Sequence, residues 1–245
     1  MKFDGMIFDF DGVLLESEWE GNRHLAALLT ELGFEHSVED ALNHYVGLSG
    51  PAFIGAIEER IGQPLPPDFY SRRAEEDARV LAEGVAEVAG AVAFVRSLPT
   101  GWPKAVASSS SSHWVRTHLA HLGLADLFHD KVFSGKEHVA RGKPAPDLYW
   151  HAADALGIDI RRTIILEDSP VGVRGAVASG AHVIGLAAAS HCLPGHAERL
   201  RELGVHEVAH SFDAVRQMIA CTMSGLSPRS LSGESRSAPT PSPRP

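Results

Sequence analysis

The 245-residue chain is long enough for one large domain or two modest ones, with a sizeable buried core. Its composition, 44% hydrophobic and 22% charged, is that of an ordinary globular protein, and a net charge of -9 argues against nonspecific affinity for nucleic acid or anionic membrane. Two cysteines, Cys192 and Cys221, show neither CxxC nor zinc spacing, and no run approaches the ~18 apolar residues of a membrane span, so a reducing, cytoplasmic setting is expected.

The first predicted element is the apolar run Met6 to Phe8, which ends in IFDFDGV. Residues i and i+2 of a strand share a face, so Asp9 and Asp11 are expected to project together and repel each other. A divalent cation, a shared proton or a nearby Lys would offset that repulsion, and Gly12 lets the chain turn where the strand stops.

The next apolar run, Ala105 to Ala107, lies about 90 residues on, too far for a single crossover helix. The intervening stretch, residues 16–88, reads as helical: Leu25, Leu28, Leu29 and Leu32 form one stripe, and further helices are expected from Ala52 to Ile61 and from Phe69 to Leu81. An insertion there would sit over the strand ends as a lid. Arg72, Arg73 and Arg79 on its last helix are expected to form a solvated face.

After Ala107 comes SSSSS at 108–112, which follows a strand and opens a helix, so it reads either as an N-cap or as an anion site made by free N–H groups and a hydroxyl. ARGKPAPDLY at 140–149 places Lys143 in a loop before Pro144. The run Thr163 to Leu166 ends in ILEDSPVG, where adjacent Glu167 and Asp168 close a wholly apolar strand that does not tolerate unpaired charge. Asp168 reads alternatively as a cap for the following helix, whose Gly172, Gly175, Ala176, Ala178 and Gly180 let it approach the sheet. A fourth run, Val183 to Leu186, precedes HCLPGH at 191–196, the most compact of the His groups, whose spacing gives no support to a metal site. From Ser224 the chain is rich in Ser, Pro and Arg and is expected to be disordered.

Strands alternating with helices predict an α/β fold, a doubly wound and mostly parallel sheet, with ligands at the carboxyl ends of the strands. Four polar segments would meet there.

The order DFDGV, VASS, GKPAPD, LEDSPVG resembles the haloacid dehalogenase superfamily of phosphohydrolases, and closely its subfamily with an inserted helical cap. The resemblance covers about residues 1–220 and is most similar in its core motifs to beta-phosphoglucomutase. It implies a Rossmann-like core, residues 1–15 plus 89–223, with the cap at 16–88; composition sets the tail apart at 224–245. The resemblance implies Asp9 as nucleophile and Asp11 as general acid/base, with Ser108, Ser109 and Lys143 binding phosphate. It also implies a Mg²⁺ site at Asp9, Asp11, Glu167 and Asp168.

Two positions depart from the mutase pattern: Gly21 stands where that enzyme has a His, and Gly50 where it has an Arg. The stretch FSGKEHVARGKPAPDLYWHAADALG is similar to bacterial sugar-phosphate phosphatases, including those acting on 6-phosphogluconate. The resemblance therefore implies a phosphomonoesterase for a small sugar or polyol phosphate, with a phosphomutase as the alternative. A carbon–halogen hydrolase needs neither Asp11 nor the acidic pair. A non-catalytic binding module leaves the filled catalytic positions without a role. The expected partner is a small phosphorylated metabolite, with no nucleic acid and no membrane, on a monomer or weak dimer.

Overall fold

The computed structural model describes residues 3–45, 48 and 50–224; the segment expected to be disordered lies, beyond Ser224, outside them. Six strands, β1 (Gly5–Phe8), β2 (Lys104–Ser108), β3 (Val132–Ser134), β4 (Thr163–Glu167), β5 (His182–Leu186) and β6 (Glu207–Ala209), form one sheet in the order β3-β2-β1-β4-β5-β6. Every adjacent pair is parallel. This is the doubly wound order, whose switch point lies between β1 and β4. The short strands β3 and β6 escaped the sequence reading, because three residues are too few to register a period.

Side chains alternate across the sheet as the strand period demands. Met6, Phe8, Val106, Ile164, Leu166, Ile184 and Leu186 point to one face. There they meet Phe94 and Val95 of α5 (Ala91–Ser97), Val115 and Leu119 of α6 (Ser112–His121), and Phe128 of α7 (Ala125–Phe128). Phe212 and Val215 of α11 (Phe212–Ser224) complete that face. Phe8 stands edge-on to Phe94 and Phe128, with centroids 6.2 and 5.9 Å apart, a favoured aromatic geometry.

Ile7, Ala105, Ala107, Ile165 and Val183 point to the other face. Their smaller volume lets α8 (Asp147–Leu156) and α9 (Pro170–Ser179) lie close, through Leu148, Tyr149, Ala152, Ala153 and Ala176. Helix α10 (His196–Glu202) lies between β5 and β6 in sequence.

Between β1 and α5 run α1 (Ser17–Glu31), α2 (Val38–Tyr45), α3 (Gly50–Ile61) and α4 (Pro67–Glu83). They bury a cluster of their own, in which Leu25, Leu28 and Leu29 of α1 pack with Ala41, Tyr45, Ile57 and Phe69 while Leu32 lies at its edge. The predicted leucine stripe is therefore a packing face. Helix α2 is the one helix of this group that the sequence reading missed. No helix among the described residues is long and apolar enough to cross a membrane.

Candidate active site

Strand β1 ends one residue before Asp9, whose backbone N–H still donates to the Leu166 carbonyl of β4, 2.9 Å away. Asp9 thus keeps the face of Ile7, and Glu167 keeps the face of Ile165, so both carboxylates point to the side on which α8 packs. The loop before α8 brings Lys143 between them. Its ammonium pairs with Asp9 and, at 2.7 Å, with Glu167 Oε1, in a site where its side chain is 3% exposed. Burial alone would push the Lys143 pKa down, but Asp9 and Glu167 hold it well above its ordinary value.

Tyr149 of α8, absent from the predicted site, donates its hydroxyl to Glu167 Oε1 at 2.9 Å. The other oxygen of Glu167 accepts from the backbone N–H of Ser169 at 2.9 Å and from its hydroxyl at 3.1 Å. Ser169, not Asp168, caps α9, its Oγ accepting from the Gly172 N–H at 3.0 Å. A Cβ on Gly172 would lie 1.6 Å from Glu167 Oε1, so this glycine leaves room for the carboxylate. Gly172→Ala is therefore expected to cost roughly 1–3 kcal/mol of stability and to displace Glu167. A urea midpoint close to that of the parent protein would refute this.

Asp168 is 1% exposed; its Oδ2 lies 2.9 Å from His191 Nε2, and its Oδ1 is buried with no hydrogen-bond partner among the described residues. Carboxylate oxygens of Asp9, Glu167 and Asp168 all fall within 4.8 Å of one another. Burial raises the Asp9 pKa well above its ordinary value; Lys143 opposes this, and Glu167, Asp168 and Asp11 add to it. A buried all-oxygen cluster with surplus negative charge and an orphan oxygen fits a hard divalent cation.

Asp11 is placed differently from the sequence expectation. Because β1 stops at Phe8 and Gly12 adopts φ 79°, the chain turns, and the two carboxylates take different partners. Asp11 Oδ1 accepts from Ser17 Oγ at 2.7 Å and Trp114 Nε1 at 3.0 Å; Oδ2 accepts from Ser110 Oγ at 2.7 Å and Ser108 Oγ at 3.2 Å. Its side chain stands outside the acidic cluster. Ser108 is fully buried at the end of β2, Ser109 is exposed, and α6 opens only at Ser112, capped by Ser111.

The sequence pattern of haloacid dehalogenase-like hydrolases matches residues 6–186. The chain belongs to that family. Hexitol phosphatase A of Escherichia coli is 30% identical to this hydrolase over 226 residues, 88% of this chain and 94% of its own. Fructose-1-phosphate phosphatase YqaB of Escherichia coli is 30% identical over 181 residues, 73% of this chain and 94% of its own. The crystal structure of a HAD family hydrolase from Deinococcus radiodurans, with bound phosphate and sodium, matches with a TM-score of 0.80 at 30% identity, covering 92% of this chain and 98% of that one. Among haloacid dehalogenase-like hydrolases, this one is an enzyme of the phosphatase kind.

In this hydrolase a cavity of about 540 Å³ opens over the strand ends, with Asp9, Asp11, Lys143 and Asp168 in its wall. Ser109, Ser110 and Lys136 also line it, whereas Ser108 lies behind the wall. The opposite wall comes from the inserted helices, through Glu18, Gly21 and Asn22 of α1, Tyr45 of α2, Phe53 of α3, and Arg73 and Asp77 of α4. Arg73 is thus not part of a solvated face. Arg72 pairs with Glu31, and Arg79 with Glu76 and Glu83, on the outside.

Glu18 faces this cavity half-buried, its pKa pushed up to about 7 by burial and then by Asp11 and Asp168, against the attraction of His191. Between its ordinary value of 4.5 and about 7 the folded hydrolase holds a proton that the unfolded chain releases. The stability Glu18 contributes is therefore full below pH 4.5 and lost as the pH rises through about 7. Glu18→Gln should flatten the fall in melting temperature between acid and mildly alkaline pH in metal-free buffer; an unchanged slope would contradict the shift.

Proposed function

We propose that the enzyme hydrolyses a small sugar or polyol phosphate, with Asp9 as nucleophile. The observation that carries this reading is the convergence at the β1/β4 switch point. There a buried Asp9 shares Lys143 with Glu167 and stands within reach of Asp168, while Asp11 is held apart by hydroxyl and indole donors. Asp9 would attack phosphorus and form an aspartyl-phosphate. Lys143 would hold a phosphoryl oxygen as charge develops, and Ser109 and Ser110 on the cavity wall offer donors to the others.

Asp9, Glu167 and Asp168 would hold Mg²⁺, which when bound supplies positive charge against the carboxylates and the phosphoryl oxygens. The Asp11 side chain is left for proton transfer. The Trp114 indole can only donate, so Oδ1 remains an acceptor; Ser108 and Ser110 can rotate to accept, so Oδ2 can carry the proton. From there it would protonate the leaving oxygen and afterwards take a proton from the attacking water.

Helices α1–α4 would act as a cap that selects the leaving group, with Glu18, Asn22, Arg73 and Asp77 facing its hydroxyls. Hydrolysis is favoured over phosphoryl return by Gly21: a Cβ there meets nothing within 4 Å among the described residues, which leaves a path for water. The sugar-phosphate and hexitol-phosphate names of the relatives support this substrate class.

Phosphate release from a panel of phosphorylated metabolites, with and without Mg²⁺, tests the reading. Sugar and polyol phosphates should be hydrolysed only with Mg²⁺. Ca²⁺, which takes more ligands at longer distances, should bind yet support little turnover. Full activity after exhaustive chelation would overturn the metal assignment, and silence across the panel would overturn the substrate class.

A further inference from the structure

A second group of potential ligands lies directly behind Asp168, in the loop after β5 and the first residue of α10. The spacing of HCLPGH gave no support to a metal site, but folding supplies what spacing lacks. Ligand atoms of His191, Cys192 and His196 all lie within 4.8 Å of one another. Cys192 Sγ is 3.7 Å from His191 Nε2. On a tetrahedral zinc ion, a sulfur at ~2.3 Å and an imidazole nitrogen at ~2.0 Å stand about 3.6 Å apart.

The His191 imidazole contacts the Cys192 sulfur, and a ring nitrogen of His196 lies within 4.8 Å of it. His196 donates its Nε2–H to the backbone carbonyl of Asp168 at 2.7 Å, which orients the ring and leaves Nδ1 as its lone pair. Metal-bound histidines commonly make that second bond. His191 is 4% exposed, and the same Nε2 that faces the Cys192 sulfur lies against the Asp168 carboxylate.

We propose that His191, Cys192 and His196 form a second metal site, for a zinc-class cation, whose occupancy lowers turnover through Asp168. The donor sets sort the ions. Asp9, Glu167 and Asp168 offer only hard oxygen, whereas one sulfur and two imidazoles suit Zn²⁺ or Co²⁺. Three protein ligands leave a fourth position open, which suits an exchangeable ion rather than a structural one. The coupling follows from contact: His191 Nε2 lies 2.9 Å from Asp168 Oδ2, so an ion that takes this nitrogen removes its hydrogen bond to that carboxylate.

The test is Co²⁺ titration of the full-length, metal-stripped protein in saturating Mg²⁺. Thiolate-to-cobalt charge-transfer and tetrahedral ligand-field bands should grow to one equivalent, be bleached by Zn²⁺, persist in Asp9→Asn and vanish in Cys192→Ser. Zn²⁺ should lower Mg²⁺-supported phosphate release in the parent protein and not in Cys192→Ser, which should keep its basal activity and melting temperature. Absence of the charge-transfer band, or its survival in Cys192→Ser, would overturn the site. Equal Zn²⁺ inhibition of both proteins would overturn the coupling and place the inhibitory ion elsewhere. The cobalt spectrum does not depend on any phosphatase assay, so failure of the functional reading and failure of this site are separate results.

Discussion

Asp9→Asn should reduce phosphate release on the order of 10⁴-fold or more while leaving the fold intact, because an amide of the same shape is a poor nucleophile. Asp9 is 6% exposed, and burial together with Glu167, Asp168 and Asp11 already disfavours its charge against the help of Lys143. Removing that charge leaves Lys143 paired with Glu167 at 2.7 Å, so no buried ammonium is stranded. The metal-free variant should therefore unfold at a urea concentration equal to or above that of the parent. Activity near the parental level in a clean preparation would eliminate Asp9 as nucleophile. A large loss of stability would instead show that its pair with Lys143 holds the strand ends together.

Asp11→Asn separates the chemistry of the second carboxylate from its charge. The amide oxygen can keep the bonds from Ser17 and Trp114, and the amide N–H₂ can donate to Ser108 and Ser110 once those hydroxyls rotate, so the local structure should survive. Turnover of a sugar phosphate, whose alkoxide needs a proton to leave, should fall by about 10²–10⁴-fold. Turnover of an aryl phosphate, whose phenolate leaves unaided, should show a rapid burst and then a slow phase, because the aspartyl-phosphate forms but water is no longer activated. Rapid-quench measurement with an activated aryl phosphate distinguishes the cases. Equal loss for both substrates, with no burst, would reduce Asp11 to a structural anchor between α1, β2 and α6.

The sheet and the identity of its end residues were legible because charge and periodicity are local properties. An apolar run that stops at Asp9, Ser108 or Glu167 marks a strand end whatever the rest of the chain does. The long interval between β1 and β2 required a separate helical unit, and the leucines of α1 gave its packing face. Strand β3 and helix α2 stayed hidden, being too short for a pattern to stand out.

The partners of the site residues were a different matter. Tyr149 reads as a core aromatic of α8 until the sheet order sets it beside Glu167, and His191 reads as a loop residue until the turn after β5 sets it against Asp168. Arg73 reads as one of three exposed arginines until the fold of α1–α4 aims it into the cavity.

By itself, then, the sequence determined which chemical groups stand at the strand ends and in what order, since unpaired charge cannot continue through a buried parallel strand. Only the tertiary structure decided how they divide their partners. The turn at Gly12 sends Asp11 toward the hydroxyls of β2 and α1, while Asp9 keeps the β1 face and meets Lys143 from a loop 134 residues away. That division depends on strand order and on where a backbone turns, and neither leaves a periodic trace in the residues that obey it.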